Sequence, residues 1–133
     1  MIKLFIGGKG SGKTKTLIEL SNNAANTTKG SVICIEKGSK LKHEITYKAR
    51  LIDTDAYQVA DAESLFGFIA GILASNSDIT DIFVDSALKI VGGDTAAFEE
   101  MLGKLKAVCA DVNLVMTVSI PVEECPEGIK AYV

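Results

Sequence analysis

Short apolar runs alternate with amphipathic stretches along the whole chain. Four runs have the length and the β-branched or apolar content of strands, and they cover residues 3–6, 31–36, 82–85 and 113–120. Three stretches have the apolar spacing of helices, and they cover residues 13–26, about 62–75, and a stripe from Phe98 to Cys109. Strands that alternate with helices predict an α/β domain whose parallel sheet is covered on both faces.

The boundaries of these elements are marked by local signals. Asp61 and Asp94 each precede a helical stretch and are predicted N-caps, and Pro121 ends the last strand. Residues 37–60 have the weakest pattern, and an edge strand or hairpin is expected at 45–52. The chain has 133 residues and shows no repeat or linker. We therefore expect one domain over residues 1–133, a three-layer αβα fold with a mainly parallel sheet of about four to five strands.

The composition excludes several classes of protein. With 47% hydrophobic and 23% charged residues and only two prolines, the chain is neither disordered nor collagenous. No apolar run reaches the roughly 18 residues of a membrane span, so no membrane association is expected. The three cysteines lack metal-ligand spacing and are expected to be reduced thiols, which predicts a cytoplasmic protein.

The charge is distributed unevenly between the two parts of the chain. Residues 1–50 carry a formal charge of +7 and residues 51–133 carry −10, which together give the net charge of −3. The two parts could neutralise each other within one domain, face a phosphate ligand, or support self-association. The acidic balance, with a pI near 5.1, argues against a dedicated nucleic-acid binder.

A glycine-rich segment joins the first predicted strand to the first predicted helix. Residues 7–14 read Gly-Gly-Lys-Gly-Ser-Gly-Lys-Thr, which fits G-x-x-x-x-G-K-[ST] without a gap. Glycines let successive backbone N–H groups curl around a polyphosphate, and the helix N-terminus adds partial positive charge. In such a segment the lysine reaches the β- and γ-phosphates and the hydroxyl reaches Mg²⁺. The candidate nucleotide-binding residues are Gly8, Lys9, Gly10, Ser11, Gly12, Lys13, Thr14 and Lys15.

A second anchor for Mg²⁺ is expected on another strand. The apolar run that begins at Ile82 ends in Asp85. Because ligand sites of parallel sheets form at the carboxyl ends of the strands, Asp85 should lie near the glycine-rich segment. Thr14 and Asp85 are therefore the predicted metal ligands.

On these two motifs the chain resembles the P-loop NTPases, with Walker A at residues 7–14 and Walker B at residues 82–85. Further details are similar to the RecA-like branch, and the resemblance covers about residues 1–120. The second strand ends in Glu36, where that branch often has the glutamate that polarises the attacking water, and Asp85 is followed by Ser86. The resemblance implies ATP and Mg²⁺ as cofactors, Lys13, Glu36 and Asp85 as catalytic residues, and Thr117 or Ser119 as a contact of the γ-phosphate.

Three functions are compatible with these residues. An ATPase or ATP-dependent switch is the first expectation, since the N-K-x-D segment that specifies guanine is missing. No acid follows Asp85 directly, so the glutamate arrangement of the AAA+ and ABC branches is absent. Glu36 is therefore the candidate base, and if it does not act as the base, hydrolysis would be slow or absent. The alternatives are a non-hydrolysing nucleotide-binding module that signals through a partner, and a small nucleotide or metabolite kinase. A single arginine in the chain argues against the arginine-rich lid of a nucleotide kinase.

That single arginine, Arg50, ends a lysine-rich stretch over residues 37–50. The stretch is either a solvated basic loop or a surface that contacts phosphate. P-loop sites often receive their last positive charge from a neighbouring subunit. A homo-oligomer in which Arg50 reaches the nucleotide of the next copy is therefore a further expectation.

Overall fold

The computed structural model describes all 133 residues and contains one five-stranded, all-parallel sheet. Its strands are β1 (Ile2–Gly7), β2 (Ser31–Glu36), β3 (Arg50–Asp53), β4 (Ile79–Val84) and β5 (Asn113–Ser119), in the order β1-β5-β4-β2-β3. The helices are α1 (Lys13–Thr27), α2 (Ala62–Ser75), α3 (Ala87–Ile90), α4 (Thr95–Val108) and α5 (Glu127–Lys130). None of them combines the length and the apolar character of a membrane span. The predicted α/β fold with about four to five strands is confirmed.

Two apolar cores lie on opposite faces of the sheet, because side chains alternate along each strand. One core has 24 buried residues, including Leu4 and Met116 from the strands and residues from α2 and α4. The other has seven and joins Leu17 of α1 to Val32 and Phe83. The sheet is thus the middle of three layers, and the larger core is on the α2–α4 face.

The predicted N-caps of α2 and α4 are confirmed. The Asp61 carboxylate accepts the N–H of Ser64 at 2.8 Å, and the Asp94 carboxylate accepts the N–H of Ala97 at 3.0 Å. Each cap satisfies a backbone donor that the helix leaves free and contributes about 1 kcal/mol. These local bonds explain why α2 and α4 begin directly after the predicted caps.

The segment between β2 and β3 departs from the sequence prediction. An edge strand is present, but it begins at Arg50 and runs parallel to β2, so the hairpin alternative is wrong. Residues 37–49 form turns instead, and Leu41, Ile45 and Ala49 pack into the core on the α1 face. The Asn22 side chain of α1 holds this segment through two backbone hydrogen bonds, at 2.8 and 2.9 Å. The apolar residues Leu41, Ile45 and Ala49 therefore pack into the core and do not form a strand.

The residues after Pro121 do not form another strand–helix unit. They make a short 3-10 turn and α5, and Ile129 of α5 is fully buried. The Leu4 N–H donates to the carbonyl of Tyr132 at 2.9 Å. This tail therefore covers the edge of β1 that has no neighbouring strand.

All three cysteines are buried and free of disulfide bonds. The Cys34 thiol lies 2.6 Å from the Ser21 hydroxyl, and burial raises the pKa of this thiol to about 11. Cys34 is therefore a protonated core residue at neutral pH.

Candidate functional site

The glycine-rich loop (residues 7–14) leaves the carboxyl end of β1 and enters α1. Gly12 precedes the helix in the left-handed region, at φ 87° and ψ 9°, which favours glycine. A Cβ added to Gly7 would lie only 2.6 Å from the Ser11 hydroxyl oxygen. The first turn of α1 has neither a side-chain cap nor an acidic residue. Its free N–H groups and partial positive charge are thus available to an anion.

Lys13 is the first residue of α1, and its side chain folds back over the loop. Its Nζ donates to the Gly8 carbonyl at 3.0 Å and to the Ser11 hydroxyl at 3.3 Å. Both acceptors are neutral, so a phosphate oxygen would form a stronger, charge-assisted bond with the same ammonium group. The lysine is therefore held over the place where the loop N–H groups would meet a phosphate.

Asp85 lies directly after β4, and its carboxylate contacts the start of α1. The Thr14 hydroxyl donates to Asp85 Oδ1 at 3.0 Å, although the two residues are 71 positions apart in sequence. The Asp85 N–H donates to the carbonyl of Ile35 at 2.9 Å, so the backbone of Asp85 remains attached to β2. The carboxyl ends of the strands thus bring Thr14 and Asp85 together.

The donor atoms at this point suit Mg²⁺. A threonine hydroxyl and a carboxylate are hard oxygen ligands. The structure contains no group of three or more His, Cys, Asp or Glu side chains that could hold a metal by themselves. Magnesium is commonly bound by one or two carboxylates together with the phosphates of a nucleotide. Thr14 and Asp85 therefore fit an ion that arrives with a phosphate ligand.

Glu36 ends β2 next to Asp85, since β2 and β4 are paired up to Ile35 and Val84. It is only 3% exposed, and its two carboxylate oxygens accept the N–H groups of Lys40 at 3.0 Å and Leu41 at 3.1 Å. Burial raises the pKa of Glu36, and the nearby Asp85 carboxylate adds to this rise, while the two N–H bonds oppose it. Glu36 therefore lies beside the candidate metal site and also anchors the segment that follows β2.

Thr117 and Ser119 lie at the carboxyl end of β5, between β1 and β4. The Thr117 hydroxyl donates to Asp85 Oδ1 at 2.8 Å and accepts the N–H of Ser86 at 2.7 Å. Ser119 is exposed and is the register partner of Gly7. The contact between Thr117 and Asp85 could not be predicted from the sequence, because it depends on the order of strands in the sheet.

Arg50 lies far from the glycine-rich loop of its own chain. It is the first residue of β3 and is paired with Ile33, in the middle of β2, whereas the loop follows the carboxyl end of β1. The strands β1 and β3 form the two opposite ends of the sheet. The exposed Arg50 side chain could meet a nucleotide at such a loop only in another copy of the chain.

Comparison with protein-family models finds no match, and comparison with curated proteins finds none either. The resemblance to the P-loop NTPases stays a prediction. The function proposed below therefore depends on the contacts of the site residues.

Proposed function

We propose that this protein binds Mg-ATP at the glycine-rich loop and Asp85 and acts as an ATPase or ATP-dependent switch. The contact between Thr14 and Asp85 supports this proposal most directly. It joins a hydroxyl at the start of α1 to a carboxylate at the end of β4. Both groups lie, with Lys13, at the edge of the sheet formed by the carboxyl ends of the strands. Backbone N–H groups, a cation and two oxygen groups are thus adjacent, which is the set that Mg-ATP binding requires.

Each site residue has a chemical task in this proposal. The N–H groups of the loop and of α1, with Lys13, bind the phosphates and stabilise charge that develops on them. Thr14 and Asp85 would hold Mg²⁺, which neutralises charge on the β- and γ-phosphate oxygens when it is bound. Glu36 would accept a proton from the attacking water, and its raised pKa makes it a stronger base than an exposed glutamate.

The burial of Glu36 favours a second candidate function. A carboxylate that is 3% exposed and bonded to two backbone N–H groups has little access to water. In that arrangement the protein would bind Mg-ATP without hydrolysing it and would signal through a partner. The two candidates share one binding site and differ only in what Glu36 does.

Asp85→Asn tests the metal part of the site. We expect the affinity for Mg-ATP to fall about tenfold, because an amide is a poorer Mg²⁺ ligand than a carboxylate. The affinity measured in EDTA should not change. Isothermal titration with and without Mg²⁺ measures both values.

Asp81→Asn is the matched control for this experiment. Asp81 lies on β4 at the amino edge and contacts the Asn113 amide at 3.4 Å, away from the loop. The Asp81→Asn variant should bind Mg-ATP with the same affinity as the parent. An equal loss of affinity with and without Mg²⁺ in Asp85→Asn would contradict the metal assignment.

A second copy of this chain is the partner that we propose for Arg50. The layer formed by α1 and the turns of residues 37–49 comes from the basic part of the sequence, and α2 to α5 come from the acidic part. These layers lie on opposite faces of the sheet. Complementary faces of this kind support a head-to-tail contact that brings Arg50 to the neighbour's nucleotide.

Arg50→Ala tests this assembly. In the parent, the ATPase rate per subunit should rise with protein concentration and fall with added salt. The variant should lose this concentration dependence but keep its nucleotide affinity. Its affinity for a second copy should fall about two- to fivefold, as expected for the loss of one exposed ion pair. The control Lys48→Ala should keep the concentration dependence. A strictly monomeric parent in ultracentrifugation, with a concentration-independent rate, would rule the assembly out.

A further inference from the structure

The Thr117 hydroxyl has only one proton, and its neighbours determine where that proton points. Thr117 is 1% exposed, so no solvent competes for the group. The N–H of Ser86 can only donate, and it lies 2.7 Å from Thr117 Oγ1. The Asp85 carboxylate can only accept, and its Oδ1 lies 2.8 Å away on the other side. The proton is therefore directed at Asp85.

The backbone conformation after Asp85 holds the Ser86 N–H against the Thr117 hydroxyl. Ser86 is one of two non-glycine residues with a positive φ, at φ 54° and ψ 49°. Such a conformation is uncommon for serine and persists where the surrounding contacts fix it. Here it accompanies the bond from the Ser86 N–H to Thr117 and a contact of the Ser86 hydroxyl with Asp85 Oδ2 at 3.3 Å. The Asp85 carboxylate is thus held through both of its oxygens.

We infer that Thr117 is a positioning residue that orients the Asp85 carboxylate toward Mg²⁺. The inference rests on the proposed function. It replaces the expectation that Thr117 contacts the γ-phosphate, because the hydroxyl has no second proton to donate to a phosphate oxygen. Ser119, which is exposed beside Gly7, retains a free hydroxyl for such a contact.

Titration with ADP as well as ATP separates the two roles of Thr117. ADP has no γ-phosphate, so a residue that only senses that group cannot affect ADP binding. Thr117→Val keeps the shape of the side chain and removes the donor. We expect the Mg²⁺-dependent part of the affinity to fall about tenfold for both nucleotides, as for other residues that orient a metal ligand, and the affinity in EDTA to stay unchanged.

Two variants on the same strand complete the experiment. Thr117→Ser retains the hydroxyl and should restore the Mg²⁺ dependence, which a purely structural role of the γ-methyl group would not explain. Ser119→Ala should leave ADP binding unchanged. A loss confined to ATP in Thr117→Val, or no loss with either nucleotide, would overturn the inference. Absence of any nucleotide binding by the parent would instead refute the proposed function.

A measurement on the parent protein answers the same question if Thr117→Val does not fold. The Thr117 hydroxyl is 1% exposed and bonded to Asp85, and because such protection slows exchange with water, its proton is a suitable target for NMR. If this proton is hydrogen-bonded to Asp85, Mg-ADP and Mg-ATP should shift the proton's resonance by similar amounts. A shift with Mg-ATP alone would overturn the inference.

Discussion

Lys13→Ala is expected to lower the affinity for Mg-ATP by about 100-fold. The lysine is the one side-chain cation that the structure holds over the glycine-rich loop, within 3.0 Å of the Gly8 carbonyl. A charge-assisted bond to phosphate contributes about 1.5–3 kcal/mol, and the upper part of that range corresponds to about 100-fold in affinity. Isothermal titration with Mg-ATP measures the loss directly.

The fold should survive this substitution. The substitution removes only the bonds from Lys13 to the Gly8 carbonyl and to the exposed Ser11 hydroxyl. The melting temperature should therefore stay close to that of the parent. Lys29→Ala is the matched control, since it removes the same charge from an exposed position just beyond the other end of α1. If Lys13→Ala binds Mg-ATP as the parent does, phosphate does not bind at this loop.

Most of the fold could be predicted because its signals are local. Asp61 marks the start of α2 through a bond to a backbone N–H three residues away. The glycine-rich loop likewise shows its position in sequence, between an apolar run and a helix. Asp85 could be placed near that loop because parallel strands present their carboxyl ends at one edge.

The remaining features depend on contacts between distant segments. The position of Thr117 against Asp85 requires β5 to lie between β1 and β4, and the strand pattern does not state that order. The turns of residues 37–49 are likewise fixed by packing against α1, so tertiary contacts override the local apolar pattern near Ile45. Sequence spacing also could not show that Glu36 bonds the N–H groups of Lys40 and Leu41.

Glu36→Gln is expected to lower the rate of ATP hydrolysis by about 100-fold or more while Mg-ATP affinity stays unchanged. The amide cannot accept a proton, so the variant loses a general base but no phosphate contact. The rate of the parent should fall as the pH drops through the pKa of Glu36, because only the ionised carboxylate acts as base. Burial raises that pKa, so the fall should begin at a higher pH than for an exposed glutamate. The residual rate of the variant should not show this fall.

The same substitution disturbs a structural contact, and a control must separate the two effects. Glutamine keeps one acceptor oxygen, but its NH₂ group would face a backbone N–H of Lys40 or Leu41. Ile45→Val loosens the same segment at a cost of about 1 kcal/mol and leaves the carboxylate in place. It should hydrolyse ATP like the parent. If Glu36→Gln also hydrolyses ATP like the parent, Glu36 only anchors residues 40 and 41 and the base lies elsewhere. If the parent binds Mg-ATP without turnover, the buried carboxylate belongs to a binding module that responds to ATP without hydrolysing it.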